Sequence, residues 1–163
     1  MVGDSVRDFG LLTLGSRMRR IGERLQADTQ RIIEESGLTV QASQYPFLAA
    51  LDREGPMTVG ELALAVGISQ PGVTRSVAQL AQQGLLQVDQ SPDDQRRKVV
   101  ALTADGARLV EFSKRNVWPR IRAAVADLCA DMGPSLLWQL TALEEGLAEK
   151  PLHRRVPRKE AVR

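Results

Sequence analysis

Apolar residues recur along this chain in more than one rhythm, and each change of rhythm marks a change of element. From Asp8 to Ser36, residues Leu11, Leu14, Met18, Ile21, Leu25 and Ile32 are spaced by three, four or seven. This heptad-like stripe predicts one long helix, with Gly37 placed as its C-cap. Ser43 to Asp52 predicts a shorter helix. Ser43 stands at its cap, Pro46 falls in a first turn that tolerates proline, and Tyr45, Phe47, Leu48 and Leu51 supply its core face. Gly55-Pro56 breaks the chain. Beyond Thr103, Leu109, Val110, Phe112, Val117, Ile121, Val125 and Leu128 predict a long helix to about Asp131, kinked at Trp118-Pro119. Met132-Gly133-Pro134 is the next break. A last helix carries Leu136, Leu140, Leu143 and Leu147 at i, i+4, i+7 and i+11. The first and last stripes each need a cover, which their own chain or a second copy could provide.

Between the long helices the rhythm shortens. Thr58 and Glu61 form an S/T-x-x-E capping box ahead of Leu62, Ala65 and Val66. Gly67 sits where a left-handed residue ends that helix. Ser69 is an N-cap for a second short helix, and Pro71 falls in its first turn. Val73, Val77 and Leu80 form the inward stripe of this second helix, which ends at Gly84. Pro71, Thr74, Arg75, Ala78, Gln79 and Gln82 form its outward face. An apolar back with a front of small residues, glutamines and one arginine suits the major groove of duplex DNA. Taken alone, the same helix reads equally well as an ordinary amphipathic surface helix.

The next segment of the chain tips the balance. Leu85 to Asp89 and Lys98 to Leu102 read as two strands of a hairpin, separated by the turn-rich Gln90-Ser91-Pro92-Asp93-Asp94-Gln95. Arg96 and Arg97 lie just past its tip. Two helices, a tight turn and a basic-tipped hairpin make a winged helix-turn-helix, whose wing can lay arginine against phosphates or into the minor groove. The plainer alternative is a solvated turn in which Asp93 or Asp94 pairs with Arg96.

Composition narrows the function classes. The formal charge is only +2, residues 151–163 sum to +4 and the rest to −2, so any DNA affinity must come from a local patch. No apolar run is long enough to span a membrane, and the N-terminus lacks the pattern of a signal peptide, which favours the cytoplasm. One cysteine, Cys129, excludes an internal disulfide and reads as a structural thiol. The single histidine, His153, lies in the basic tail. No metalloprotease, phosphate-loop or nucleophile-elbow motif is present, so neither an enzyme nor a metal or other cofactor is indicated.

The run from Leu38 to Leu147 resembles the MarR family of bacterial transcriptional regulators. The resemblance rests on Gln44-Tyr45 with Phe47-Leu48 and Leu51, on MTVGELALAVGIS, on Val73-Thr74-Arg75, on Gly84 to Leu86, and on the wing run DDQRR followed by Leu102-Thr103. With flanking helices it covers roughly residues 8–150. Arg96 matches the characteristic wing arginine. Gln95 departs from a usual arginine, Gln79 from a frequent Arg or Lys, and Ala78 from a common acid.

The expected fold is therefore mainly α with a small β-hairpin. A winged helix-turn-helix at 38–103 is flanked by dimerisation helices at 8–36 and 104–149, and a basic, flexible tail occupies 150–163. The resemblance implies a homodimeric regulator, most simply a repressor, bound to a palindromic operator and released by a small aromatic or anionic effector. Ser69, Gln70, Pro71, Thr74, Arg75, Gln79, Arg96 and Arg97 are the expected DNA-binding residues. Tyr45, Arg19, Arg20 and Trp118 are weaker candidates to line an effector pocket. A winged-helix module that binds protein, or a regulator without an effector, is the alternative.

Overall fold

The computed structural model describes residues 3–90, 98–132 and 135–156. The chain divides into two compact units, one ending at Arg122 and the other beginning at Ala123.

The N-terminal stripe does not form one helix. A short helix α1 (Ser5–Asp8) and a 3-10 turn at Gly10–Thr13 precede the long helix α2 (Leu14–Glu35). The break falls at Gly10, whose φ of 54° lies outside the right-handed helical region. Asp4 caps α1 by accepting from the Arg7 N–H, and its carboxylate also takes a hydrogen bond from Arg20 at 2.9 Å. At the other end of α2, Gly37 adopts the left-handed conformation expected of it, with a φ of 76°.

Helix α3 (Tyr45–Glu54) starts differently from expectation. Ser43 is not its cap. A 3-10 turn at Ala42–Gln44 leads into it, and the Gln44 side chain accepts from the Gln41 N–H at 2.9 Å. The Gln30 side chain of α2 accepts from the Ala42 N–H at 2.8 Å, so amide side chains satisfy the donors of the turn that precedes α3. Tyr45, Phe47, Leu48 and Leu51 are buried as expected.

The winged segment has three strands, one more than the sequence pattern indicated. Strand β1 (Met57–Thr58) leads into helix α4 (Val59–Val66), helix α5 (Gln70–Gln82), strand β2 (Leu86–Gln90) and strand β3 (Lys98–Leu102). The antiparallel order is β1-β3-β2, with Met57 opposite Val100, and Leu86 opposite Leu102. A two-residue strand is too short to show a period, which is why Met57-Thr58 read only as a helix start. The core packs Leu62 of α4 and Val73, Val77 and Leu80 of α5 with Phe47, Leu48, Leu86 and Val100. Each such side chain, once removed from water, contributes about 1.5–3 kcal/mol before its ordering entropy is counted.

Helix α6 (Ala104–Asn116) is capped by Thr103, whose hydroxyl accepts from the Gly106 N–H at 3.0 Å. The predicted kink is a full break. Val117 ends α6, and helix α7 (Trp118–Leu128) begins at once, with Pro119 in its first turn. Helices α3 and α6 are tied by Tyr45–Ser113 and by Lys114–Asp52 at 2.7 Å.

In the second unit, a 3-10 turn at Ala130–Met132 follows α7, and helix α8 (Leu136–Glu149) carries the last apolar stripe. The expected break residues Gly133 and Pro134 lie outside the described residues. The basic tail begins beyond α8. Leu152–Arg154 form a 3-10 turn, and the Arg155 guanidinium donates to the carbonyls of Gly146 and Lys150. A cation there suits the negative end of the α8 dipole. Residues 157–163 of that tail lie outside the described residues.

Candidate nucleic-acid interface

The interface is built from α4, its turn and α5. The capping box on α4 is complete. The Thr58 hydroxyl accepts from the Glu61 N–H at 3.2 Å, while the Glu61 carboxylate accepts from the Thr58 N–H at 2.7 Å. Gly67 ends α4 with a φ of 73°, and its N–H and that of Ile68 both donate to the Ala63 carbonyl. This tight exit turns the chain directly into α5.

Ser69 occupies the N-cap position of α5 with extended backbone, but its hydroxyl makes no capping hydrogen bond. The Ser69 carbonyl instead accepts from the Val73 N–H at 3.0 Å. Ser69 thus stands at the N-cap position that its sequence context assigns it. Pro71 sits in the first turn, as expected.

The two faces of α5 separate cleanly. Val73 and Leu80 are fully buried and Val77 nearly so. Gln70, Pro71, Thr74, Arg75, Ala78, Gln79 and Gln82 are all exposed. Thr74 is restrained, since its hydroxyl donates to the Gln70 carbonyl at 3.0 Å. Arg75 forms no ion pair among the described residues. One exposed helix face thus brings together Gln70, Pro71, Thr74, Arg75 and Gln79, with Ser69 at its head. An uncompensated guanidinium beside amide side chains can donate to guanine edges and phosphates, and a glutamine can pair with adenine.

Strands β2 and β3 remain paired out to Gln90 opposite Lys98. The wing is therefore built as expected up to its tip. Arg96 and Arg97, the wing residues expected to contact DNA, lie outside the described residues.

Known proteins share this arrangement. Residues 36–97 match the MarR family model. The winged segment of this chain is thus similar to that of the MarR family. An HTH-type transcriptional regulator of Mycobacterium leprae is 37% identical to this chain over 76 residues, which cover 47% of the chain and 53% of the relative. The chain thus spans about half the length of the curated relatives it matches first. Among solved structures, Bordetella bronchiseptica BpsR is 28% identical, with a TM-score of 0.66 over 83% of this chain and 93% of that one. That structure was described with the regulation of BpsR's DNA binding by 6-hydroxynicotinic acid. The Mycobacterium tuberculosis transcriptional regulator MosR, solved in complex with DNA, is 25% identical, with a TM-score of 0.70 over 83% of this chain and 96% of that one.

The four candidate effector residues do not gather into one pocket. Tyr45 and Trp118 meet edge to face, with ring centroids 6.2 Å apart. Arg19 pairs with Glu23 at 2.8 Å, and Arg20 with Asp4. The Tyr45 hydroxyl lies 3.0 Å from the Ser113 hydroxyl, and burial pushes its pKa up. Ser113 donates its own proton to the Leu109 carbonyl at 2.8 Å, so Tyr45 is the donor of that pair. A shallow cleft lined by Pro46, Ala49, Asp52, Arg53 and Ala65 opens beside Trp118. Among the described residues, no group of three acidic, histidine or cysteine side chains could hold a metal, and no helix is long and apolar enough to cross a membrane.

Proposed function

We propose that this protein is a homodimeric, sequence-specific DNA-binding transcriptional regulator of the cytoplasm, acting as a repressor. Each copy places α5 in a major groove and its wing along the flanking backbone. The observation that carries this reading is the division of α5 into a fully buried apolar back and a wholly exposed front bearing Arg75 and three glutamines. The 25% identical MosR, solved with DNA, supports it.

The homodimer is supported by apolar stripes that their own surroundings leave open. In the first unit, Leu14, Ile21 and Leu25 of α2 are exposed. In the second, Leu143 and Leu147 of α8 are exposed. A second copy is the cover we assign to both, and two-fold symmetry then requires a palindromic operator with half-sites about one helical turn, roughly 10 bp, apart. An effector that releases the operator must bind better to the conformation whose recognition helices are misplaced. The response of BpsR to 6-hydroxynicotinic acid supports a small aromatic, anionic ligand for this role. The cleft beside Trp118 is where we would look for it.

The test is selection of genomic fragments by purified protein, followed by gel shifts on the selected operator. Arg75→Ala is expected to cost about 1–3 kcal/mol and to relax preference at one base pair. Arg96→Ala is expected to weaken every duplex and to lower the salt slope by about one. Enrichment of no sequence above background overturns the proposal. If Arg96→Ala binds like wild type at all salt concentrations, the wing assignment falls.

A further inference from the structure

The end of α5, the start of β2 and the start of α6 are fastened at one point. Helix α5 closes at Gly84, whose φ of 73° turns the chain so that the Leu85 N–H donates back to the Leu80 carbonyl at 3.0 Å. The carbonyls of Gly84 and Leu85 are then both taken by one residue from the far side of the wing. The Leu85 carbonyl accepts from the Thr103 N–H at 3.1 Å, and the Gly84 carbonyl accepts from the Thr103 hydroxyl at 2.6 Å. The same hydroxyl oxygen accepts from the Gly106 N–H. Thr103 is therefore both the cap of α6 and a pin through the chain that leaves the recognition helix.

Gly106 makes the pin possible. It is buried, and no side chain separates it from the Leu85 backbone. A Cβ at this position would overlap the Leu85 carbonyl oxygen, lie 3.1 Å from the carbonyl carbon and lie 3.2 Å from Leu102 Cδ2. The obstacle is backbone, which cannot rotate away as the tip of a side chain would. Helix α6 thus rests backbone to backbone on the segment that fixes the end of α5.

We propose that Gly106, together with Thr103, is a positioning residue for DNA recognition. It seats α6 on the Gly84-Leu85 carbonyls and so sets the angle at which α5 is presented to the groove. The proposal rests on the DNA-binding reading. It adds that residues remote from the exposed front of α5 govern how well that front fits its operator. Interiors and tight junctions transmit such displacements because they do not compress.

Gly106→Ala is the direct test, because alanine is a better helix former than glycine and leaves α6 itself no weaker. The readouts are affinity for the selected operator and for an unrelated duplex, with helix content and sedimentation measured on the same samples. Operator affinity is expected to fall roughly tenfold or more while binding to the unrelated duplex changes little, since phosphate contacts tolerate a tilt that base contacts do not. A loss of folding alone would lower both together. If Gly106→Ala does not fold, Thr103→Ser and Thr103→Val take its place. Serine keeps both hydrogen bonds of the hydroxyl and is expected to retain wild-type discrimination, whereas valine keeps the shape and the backbone bond, loses both hydroxyl bonds and is expected to lose discrimination. Wild-type discrimination in Gly106→Ala, or in Thr103→Val, overturns the positioning role. Wild-type protein that binds no duplex overturns the DNA reading instead, and the two failures are therefore distinct.

Discussion

Helices α5 and α2 are both amphipathic, yet they end in opposite conditions. On α5 the inward positions Val73, Val77 and Leu80 are exposed by 0%, 4% and 0%. On α2 the corresponding stripe is open, with Leu14, Ile21 and Leu25 exposed by 36%, 48% and 38%, and only Ile33 near its end is buried. The two patterns look alike in sequence because periodicity records which face of a helix seeks cover. It does not record who provides the cover. The winged segment closes its core on itself, while α2 is left with an open apolar face.

The comparison is broken most severely by damaging the side that is complete. Phe47 is 2% exposed and sits in the cluster with Leu48, Leu62, Val73 and Val100. Phe47→Ala should cost about 3–5 kcal/mol through lost transfer energy and the cavity left behind. Urea unfolding followed by far-UV circular dichroism would measure it. A loss below about 1 kcal/mol, the level of an ordinary surface change, would mean that the winged core is not self-sufficient.

The stripe should respond in another way. Replacing Ile21 and Leu25 together by Glu places charges on the open face of α2 without touching the winged core. Sedimentation should shift toward the monomer, and operator affinity should fall by about a hundredfold or more as the two half-sites cease to be bound by one linked molecule. The Tyr45–Trp118 packing should persist in near-UV dichroism. A double variant that sediments as wild type would show that this stripe is not the dimer face.

These contrasts explain what is legible in the chain alone. Caps and breakers are legible because they act within a few residues. Thr58 with Glu61, Gly67 and Thr103 all do in the structure what local chemistry requires. The exposed front of α5 is legible for the same reason, since a period of 3.6 residues fixes it. What fails depends on partners distant in sequence or on segments too short to show a period. Strand β1 exists because Val99 and Val100 of β3 offer Met57 and Thr58 an edge. Ser43 is not the cap because a 3-10 turn at Ala42–Gln44, held at its start by the Gln30 side chain 12 residues before Ala42, puts Gln44 at the N-cap position. The stripe from Asp8 runs through Gly10 as though glycine were neutral in a helix, whereas its positive φ ends one element and starts another. Gly106 cannot be singled out at all. Its role is visible only once the Leu85 carbonyl is placed beside it.

The smallest expected effect sharpens the comparison from the charged side. Lys114 of α6 bridges Asp52 of α3 at 2.7 Å and Glu111 at 2.9 Å, across a surface where the three side chains are 36%, 23% and 50% exposed. If apolar burial holds this region together, the bridge adds little, because solvent screens it. Its contribution should nevertheless carry a recognisable pH signature. The Asp52 carboxylate and then Glu111 raise the pKa of Lys114, so its part is present below the ordinary lysine range and is lost as pH rises through the folded-state value. Lys114 in turn lowers the pKa of Glu111, whose part is present above the ordinary glutamate range and is lost as pH falls through its folded-state value. The stabilisation is thus a plateau across neutral pH with a falling edge on either side. Melting temperatures of wild type and Lys114→Met, measured from acid to strongly alkaline pH, should differ slightly on the plateau and converge at both ends. A constant difference at every pH would mean that the lysine acts through its packed methylene stem rather than its charge. A large difference on the plateau would mean that the junction of α3 and α6 depends on this bridge, and that the winged core is less complete than its burial implies.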